Sequence, residues 1–149
     1  MDYIKALLSN EMFVAAVCSW ATAQIIKTII NIILTKSFDP GRLVGSGGMP
    51  SSHSAFVTGL ATSAFIHAGP ASPAFAICFV FAFVVMYDAM GVRRETGKQA
   101  ELLIRFTEIF SANYDEFQTP EETLKVLVGH TPLQVFFGLL IGIVVGIIV

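Results

Sequence analysis

Residues 71–90 read ASPAFAICFVFAFVVMYDAM, with no charged side chain before Asp88. A helix rises about 1.5 Å per residue, so some 20 apolar residues reach across a hydrocarbon core of about 30 Å. This stretch is long enough to do so. Three further apolar segments flank it. The first, 12–34, is interrupted by Gln24 and Lys27. The second, 54–68, is short and rich in small residues, and must borrow from 50–53 to span. The last, 132–149, just reaches across and carries Gln134 near its start. Gly69-Pro70 is a turn signal that folds the second and third segments into a tight helical hairpin.

The remaining sequence is polar and lies mostly in two places. Hydrophobic residues make up 54% of the 149 residues and charged residues 13%, about half the charge of a soluble domain. Most charges fall in 35–50 and 91–128, the layout of spans separated by loops. Within the second stretch, 92–112 reads as an amphipathic helix with Leu102, Leu103, Phe106, Ile109 and Phe110 on one side. A polar loop follows over 113–122. Thr119, Pro120 and Glu122 then form the N-cap, first position and capping box of a short helix ending near Val128. The expectation is an all-α, multi-span membrane protein. It has about four transmembrane helices, an amphipathic helix between the third and fourth, and one domain over 1–149.

Four spans put loops 35–50 and 91–131 on one face. Lys36, Arg42, Arg93, Arg94, Lys98, Arg105 and Lys125 lie there, and Lys5 lies opposite. The positive-inside bias makes the loop face cytoplasmic in a cell membrane. The net charge of -2 gives no reason to expect nucleic-acid binding. Cys18 and Cys78 sit in apolar runs without metal-ligand spacing and read as small buried hydrophobes. Glu11, Gln24 and Lys27 fit poorly with a cleavable signal peptide. Gly138, Gly142 and Gly146 form a small-residue ridge on the last span. It can pack within the bundle or between two protomers.

Residues capable of chemistry gather on the loop face. Gly45, Gly47 and Gly48 permit tight turns ahead of Pro50 and a helix start carrying Ser51, Ser52 and His53. Unpaired N–H groups and the helix dipole make such a start an anion site, and a histidine there can protonate a leaving oxygen. A glycine loop with a serine cap is the purely structural alternative. Arg93 and Arg94 offer forked donors for phosphate oxygens, or mark the membrane edge by snorkelling. Asp88 can hold an arginine or a histidine. His130 lies four residues before Gln134. On a shared helix face the amide oxygen would take one ring N–H, leaving the other nitrogen to attack. The alternative is a capping histidine at the interface. Lys27 lies about two turns inside its span, a depth at which ionisable residues usually face a polar cavity. His67, at the other end of the second span, reads as interfacial.

The motifs GGMPSSHS (47–54), YDAMGVRRETGKQAELL (87–103) and GHTPLQV (129–135) resemble the divergent branch of the PAP2 family. That branch is related to acid phosphatases and vanadium-dependent haloperoxidases. The resemblance covers nearly the whole chain and implies a multi-span helical membrane protein with a metal-independent phosphatase-like site and no cofactor. Lys27 and Arg42 look like the phosphate-binding pair of the first superfamily motif, though 15 positions apart. Pro50-Ser51-Ser52-His53 is similar to the second motif. It implies a general acid at His53 and phosphate contacts from Gly48, Ser51 and Ser52. His130 matches the nucleophilic histidine, with Arg93 or Arg94 far upstream. Gln134 stands where the branch usually has glutamate.

The expected activity is hydrolysis of a membrane lipid phosphate monoester or pyrophosphate through a phosphohistidine. Phosphatidic acid, phosphatidylglycerol phosphate and polyprenyl phosphates are the candidate substrates. The alternative is a protein that binds or transports the anion without turnover. Halide oxidation with bound vanadate is set aside for want of any halide site. The superfamily often uses about six spans, so a homodimer that completes the bundle is a further expectation.

Overall fold

The computed structural model describes residues 2–38, 48–113 and 130–149. All regular structure among them is helical: α1 (Asp2–Leu8), α2 (Glu11–Thr35), α3 (Ser52–Ala68), α4 (Pro73–Met90), α5 (Val92–Asn113) and α6 (Pro132–Ile148). Arg42, Gly45, Gly47, the 114–122 part of the polar loop and the capped helix expected from Thr119 lie outside the described residues.

Side-chain oxygens one residue ahead set the helix starts. Asn10 accepts from Phe13 N–H, Ser51 from Ser54 N–H, Ser72 from Phe75 N–H and Thr131 from Gln134 N–H. Each satisfies a donor that a helix start leaves unpaired. The expected hairpin is present. Gly69 ends α3 at φ +85°, in the left-handed region that glycine enters without steric cost. Its carbonyl accepts from Ser72 N–H at 3.1 Å, which turns the chain directly into α4.

The packing explains why α3 is so rich in small residues. The buried positions of α2 include Ala15, Ala16, Ser19 and Ala23, and those of α3 include Ala55, Gly59, Ala61, Ser63 and Ala64. A Cβ on Gly59 would strike Ser19, and one on Gly142 would strike Thr58 Oγ1 and the Ala55 carbonyl. The Gly138–Gly142–Gly146 ridge therefore packs within the chain, against α3. That decides between the two uses read from sequence, and the ridge is not open to a second protomer. The large hydrophobics point outward: Ile25, Ile29, Phe79, Phe81, Phe83, Phe136 and Val144 are exposed. Small residues inside and bulky apolar ones outside are the pattern of helices packed in lipid.

Among the described residues two helical runs are long and apolar enough to cross a bilayer, Glu11–Thr35 and Pro73–Thr107, the latter beginning as α4. α3 and α6 have 17 residues each, a rise of about 25 Å against the ~30 Å core. Length and composition thus give two spans where the sequence reading expected four. α5 carries the expected stripe, with Leu102, Leu103, Phe106 and Ile109 exposed. Glu95–Lys98 and Glu101–Arg105 form ion pairs on the same helix. At the far end of the bundle His67 Nδ1 lies 2.6 Å from Glu11 Oε2, tying the end of α3 to the start of α2.

Candidate functional site

Four helix ends converge where α3 and α6 begin, and backbone hydrogen bonds hold them in register. Ser51 N–H donates to the Gln134 carbonyl at 2.9 Å, joining the starts of α3 and α6. His130 N–H donates to the Ala89 carbonyl at 3.1 Å. That carbonyl lies in the last turn of α4, where a helix leaves its acceptors unpaired. His130 is thereby fixed by its backbone before its ring makes any contact, and it is only 4% exposed.

The ring is oriented by a helix cap. Thr131 is the N-cap of α6, and Gln134 at the third helical position returns its side chain to Thr131 N–H. Gln134 Oε1 accepts from Thr131 N–H at 3.1 Å and also lies 3.1 Å from His130 Nδ1. A backbone N–H can only donate, so the amide atom facing it must be the oxygen. In a neutral ring His130 Nδ1 then carries the proton, and the lone pair falls on Nε2. The expected His130–Gln134 contact is present, but its cause differs from the shared helix face read from sequence. His130 precedes the N-cap, and the capping box brings Gln134 back to it. Thr131-Pro-Leu-Gln is a T-x-x-Q signature, so this was detectable.

His53 faces His130 across 6.2 Å between ring centroids, with the planes 54° apart. His53 lies in the first turn of α3, at the positive end of its dipole. The preceding serines have separate duties. Ser51 is fully buried and its oxygen accepts from both Ser54 N–H and Ser54 Oγ–H, the latter at 2.9 Å. Ser52 accepts from Lys27 Nζ at 3.3 Å.

Lys27 is 3% exposed inside the bundle. Gly48 stands against it: a Cβ there would lie 3.5 Å from Lys27 Cγ. Gly48 has φ +81°, so this turn beside the lysine stem favours glycine. Asp88 is half-buried in the last turn of α4, next to the Ala89 carbonyl that anchors His130. Arg93 and Arg94 begin α5 immediately after, and their side chains lie outside the described set, as does Arg42. The structure thus gathers Lys27, Gly48, Ser51, Ser52, His53, Asp88, His130 and Gln134 at one end of the bundle. Sequence reasoning missed Thr131, Ser54 and the Ala89 carbonyl, which position the others.

A sequence profile of the divergent PAP2 family matches residues 8–145. The chain belongs to the divergent PAP2 family. Another similar protein is YuiD of Bacillus subtilis (strain 168), described as an uncharacterized membrane protein. It is 38% identical over 150 residues, which is 95% of each chain. No solved structure matches significantly. Family membership and the apolar helices make this divergent PAP2 protein a membrane protein. Described residues of all three motifs, Ser51, Ala89, His130 and Gln134, meet at the His53–His130 end.

Proposed function

We propose that the chain is a membrane-embedded, metal-independent phosphatase acting on a lipid phosphate monoester or pyrophosphate. The reading has α2, α3, α4 and α6 crossing the bilayer as one domain, with the His53–His130 end on the cytoplasmic face. The observation that carries it is the pair of histidines: His130, with Nδ1 held by Gln134, opposite His53 across 6.2 Å between ring centroids.

In the proposed reaction His130 Nε2 attacks phosphorus, and the phosphorus bond to the leaving oxygen breaks. Protonated His53 gives its proton to that oxygen. Neutral His53 then takes a proton from water as the water oxygen attacks the phosphohistidine. Phosphate is released and both histidines are restored. Lys27, Ser52 and the start of α3 would neutralise the phosphoryl oxygens, with Arg42, Arg93 and Arg94 as further cations and Asp88 orienting one of these groups. Substrate and bilayer are the partners this reading requires.

A second reading, anion binding or transport without turnover, is favoured by Gln134. An amide orients the imidazole but carries no charge to stabilise the imidazolium. The test is phosphate release from detergent-solubilised protein on phosphatidic acid, phosphatidylglycerol phosphate and polyprenyl phosphate. Release by wild type that His130→Ala and His53→Ala both abolish is expected. A folded protein that releases nothing from any of them would leave the binding reading in its place.

A further inference from the structure

Below the histidine pair, on the same helices that carry it, lies a second feature. A cavity of about 350 Å³ runs between α3, α4 and α6. Its near end is formed by Thr58, Met86 and Leu139. Thr58 and Leu139 each lie five residues along their helices from His53 and Gln134 respectively, a rise of about 7–8 Å. Its far end is walled by the edge-to-face pair of Phe65 and Phe75, 5.3 Å apart. Ala82, buried between α3 and α4, leaves the space that a larger residue would fill.

The walls admit one kind of ligand. Thr58 is among the few polar lining residues, and its hydroxyl donates back to the Ser54 carbonyl at 2.6 Å. Apart from Thr58 and Thr62 the lining is apolar, so it favours a hydrocarbon over a polar ligand. The dimensions narrow the choice further. From Phe75 to Met86 the cavity follows α4 for about 16 Å. An extended chain advances about 1.2 Å per bond, so the length suits roughly a dozen bonds.

We propose that this groove is the slot for one hydrocarbon chain of the phosphate ester whose headgroup sits between His53 and His130. The proposal rests on the lipid-phosphate reading of the site and adds to it how the substrate is held. The chain lies along α4, and the groove leads it toward the end of the bundle where Ala89 anchors His130. A substrate without a long chain would lose the packing contacts along the groove and bind weakly.

The test is photocrosslinking of the full chain in phosphatidylcholine vesicles, using phosphatidic acid with a diazirine in one acyl chain. Adducts on Met86 or Leu139, displaced by unlabelled phosphatidic acid but not by diacylglycerol of the same chains, are expected. Ala82→Phe should lower those adducts about tenfold. Ile143→Trp, which fills the groove from its exposed side, serves if the buried substitution fails to fold. Adducts spread over outward residues such as Ile25 and Ile77, or displaced equally by diacylglycerol, mean ordinary bilayer lipid and overturn the slot. So does an unchanged yield in a folded groove-filling variant. Phosphate release on the same samples separates the two ideas. Release with adducts elsewhere keeps the phosphatase and removes the slot. Groove adducts without release keep the slot and remove the phosphatase.

Discussion

His130 Nδ1 and Gln134 Oε1 are 3.1 Å apart, and the same oxygen closes the capping box of α6. One amide therefore sets both a helix start and the tautomer of the proposed nucleophile. Glutamate suits the third position of a capping box as well as glutamine does. Gln134→Glu should keep the melting temperature while adding a charge beside the imidazole. In a serine triad the comparable amide-for-carboxylate change altered rate by about 10⁴. Phosphate release should rise at least about tenfold in Gln134→Glu, and an unchanged rate in a folded variant would show that the glutamine is not limiting.

Lys27 donates to Ser52 at 3.3 Å from inside the bundle. Methionine is unbranched and of similar length, so it fills the same space without the ammonium group. Lys27→Met is expected to stay folded yet lose phosphate release and inhibition by vanadate. If Lys27 were only structural, the loss of the Ser52 bond would lower stability and leave vanadate affinity unchanged. Thermal unfolding and vanadate inhibition curves on the same preparation read the two effects separately.

The role proposed for His53 has its own signature. General-acid help matters most when the leaving oxygen is a poor leaving group. His53→Ala should depress hydrolysis of an alkyl phosphate by about 10²–10³, and of an aryl phosphate with an acidic phenol far less. His130→Ala should depress both alike, because it removes the attacking atom. Equal losses on both esters in His53→Ala would assign His53 to phosphate binding instead.

Much of this arrangement can be read from local sequence. The apolar runs give α2, α4 and α6 within one or two residues, because membrane helices leave a strong compositional mark. Gly69-Pro70 gives the hairpin, because a turn is decided by its own few residues. What the sequence does not show is what crosses between helices. The ridge Gly138–Gly142–Gly146 fits two packings equally well until α3 is seen against it. The Ala89 carbonyl bound to His130 N–H joins residues far apart in the chain through a backbone atom, and no side-chain pattern marks it. α1 is a single short helix of seven residues, too short for periodicity to register.

Two glycines with opposite reasons for being glycine give the last test. Gly142 meets the Ala55 carbonyl and Thr58 across the α3–α6 contact, so it lacks room. Gly69 has open space around it but φ +85°, so it lacks a compatible backbone for other residues. Gly142→Ala must push two helices apart at their backbones, an overpacking cost of about 1–3 kcal/mol. The separation would also shift the start of α3 relative to α6, and with it His53 relative to His130. Gly69→Ala should cost about 1–2 kcal/mol through left-handed strain alone, at the hairpin end of the bundle. Both variants are therefore expected to lose comparable stability, while only Gly142→Ala loses phosphate release beyond what its unfolded fraction explains. Equal residual activity in the two, measured well below their melting temperatures, would show that the α3–α6 contact supports the bundle without setting the histidine pair.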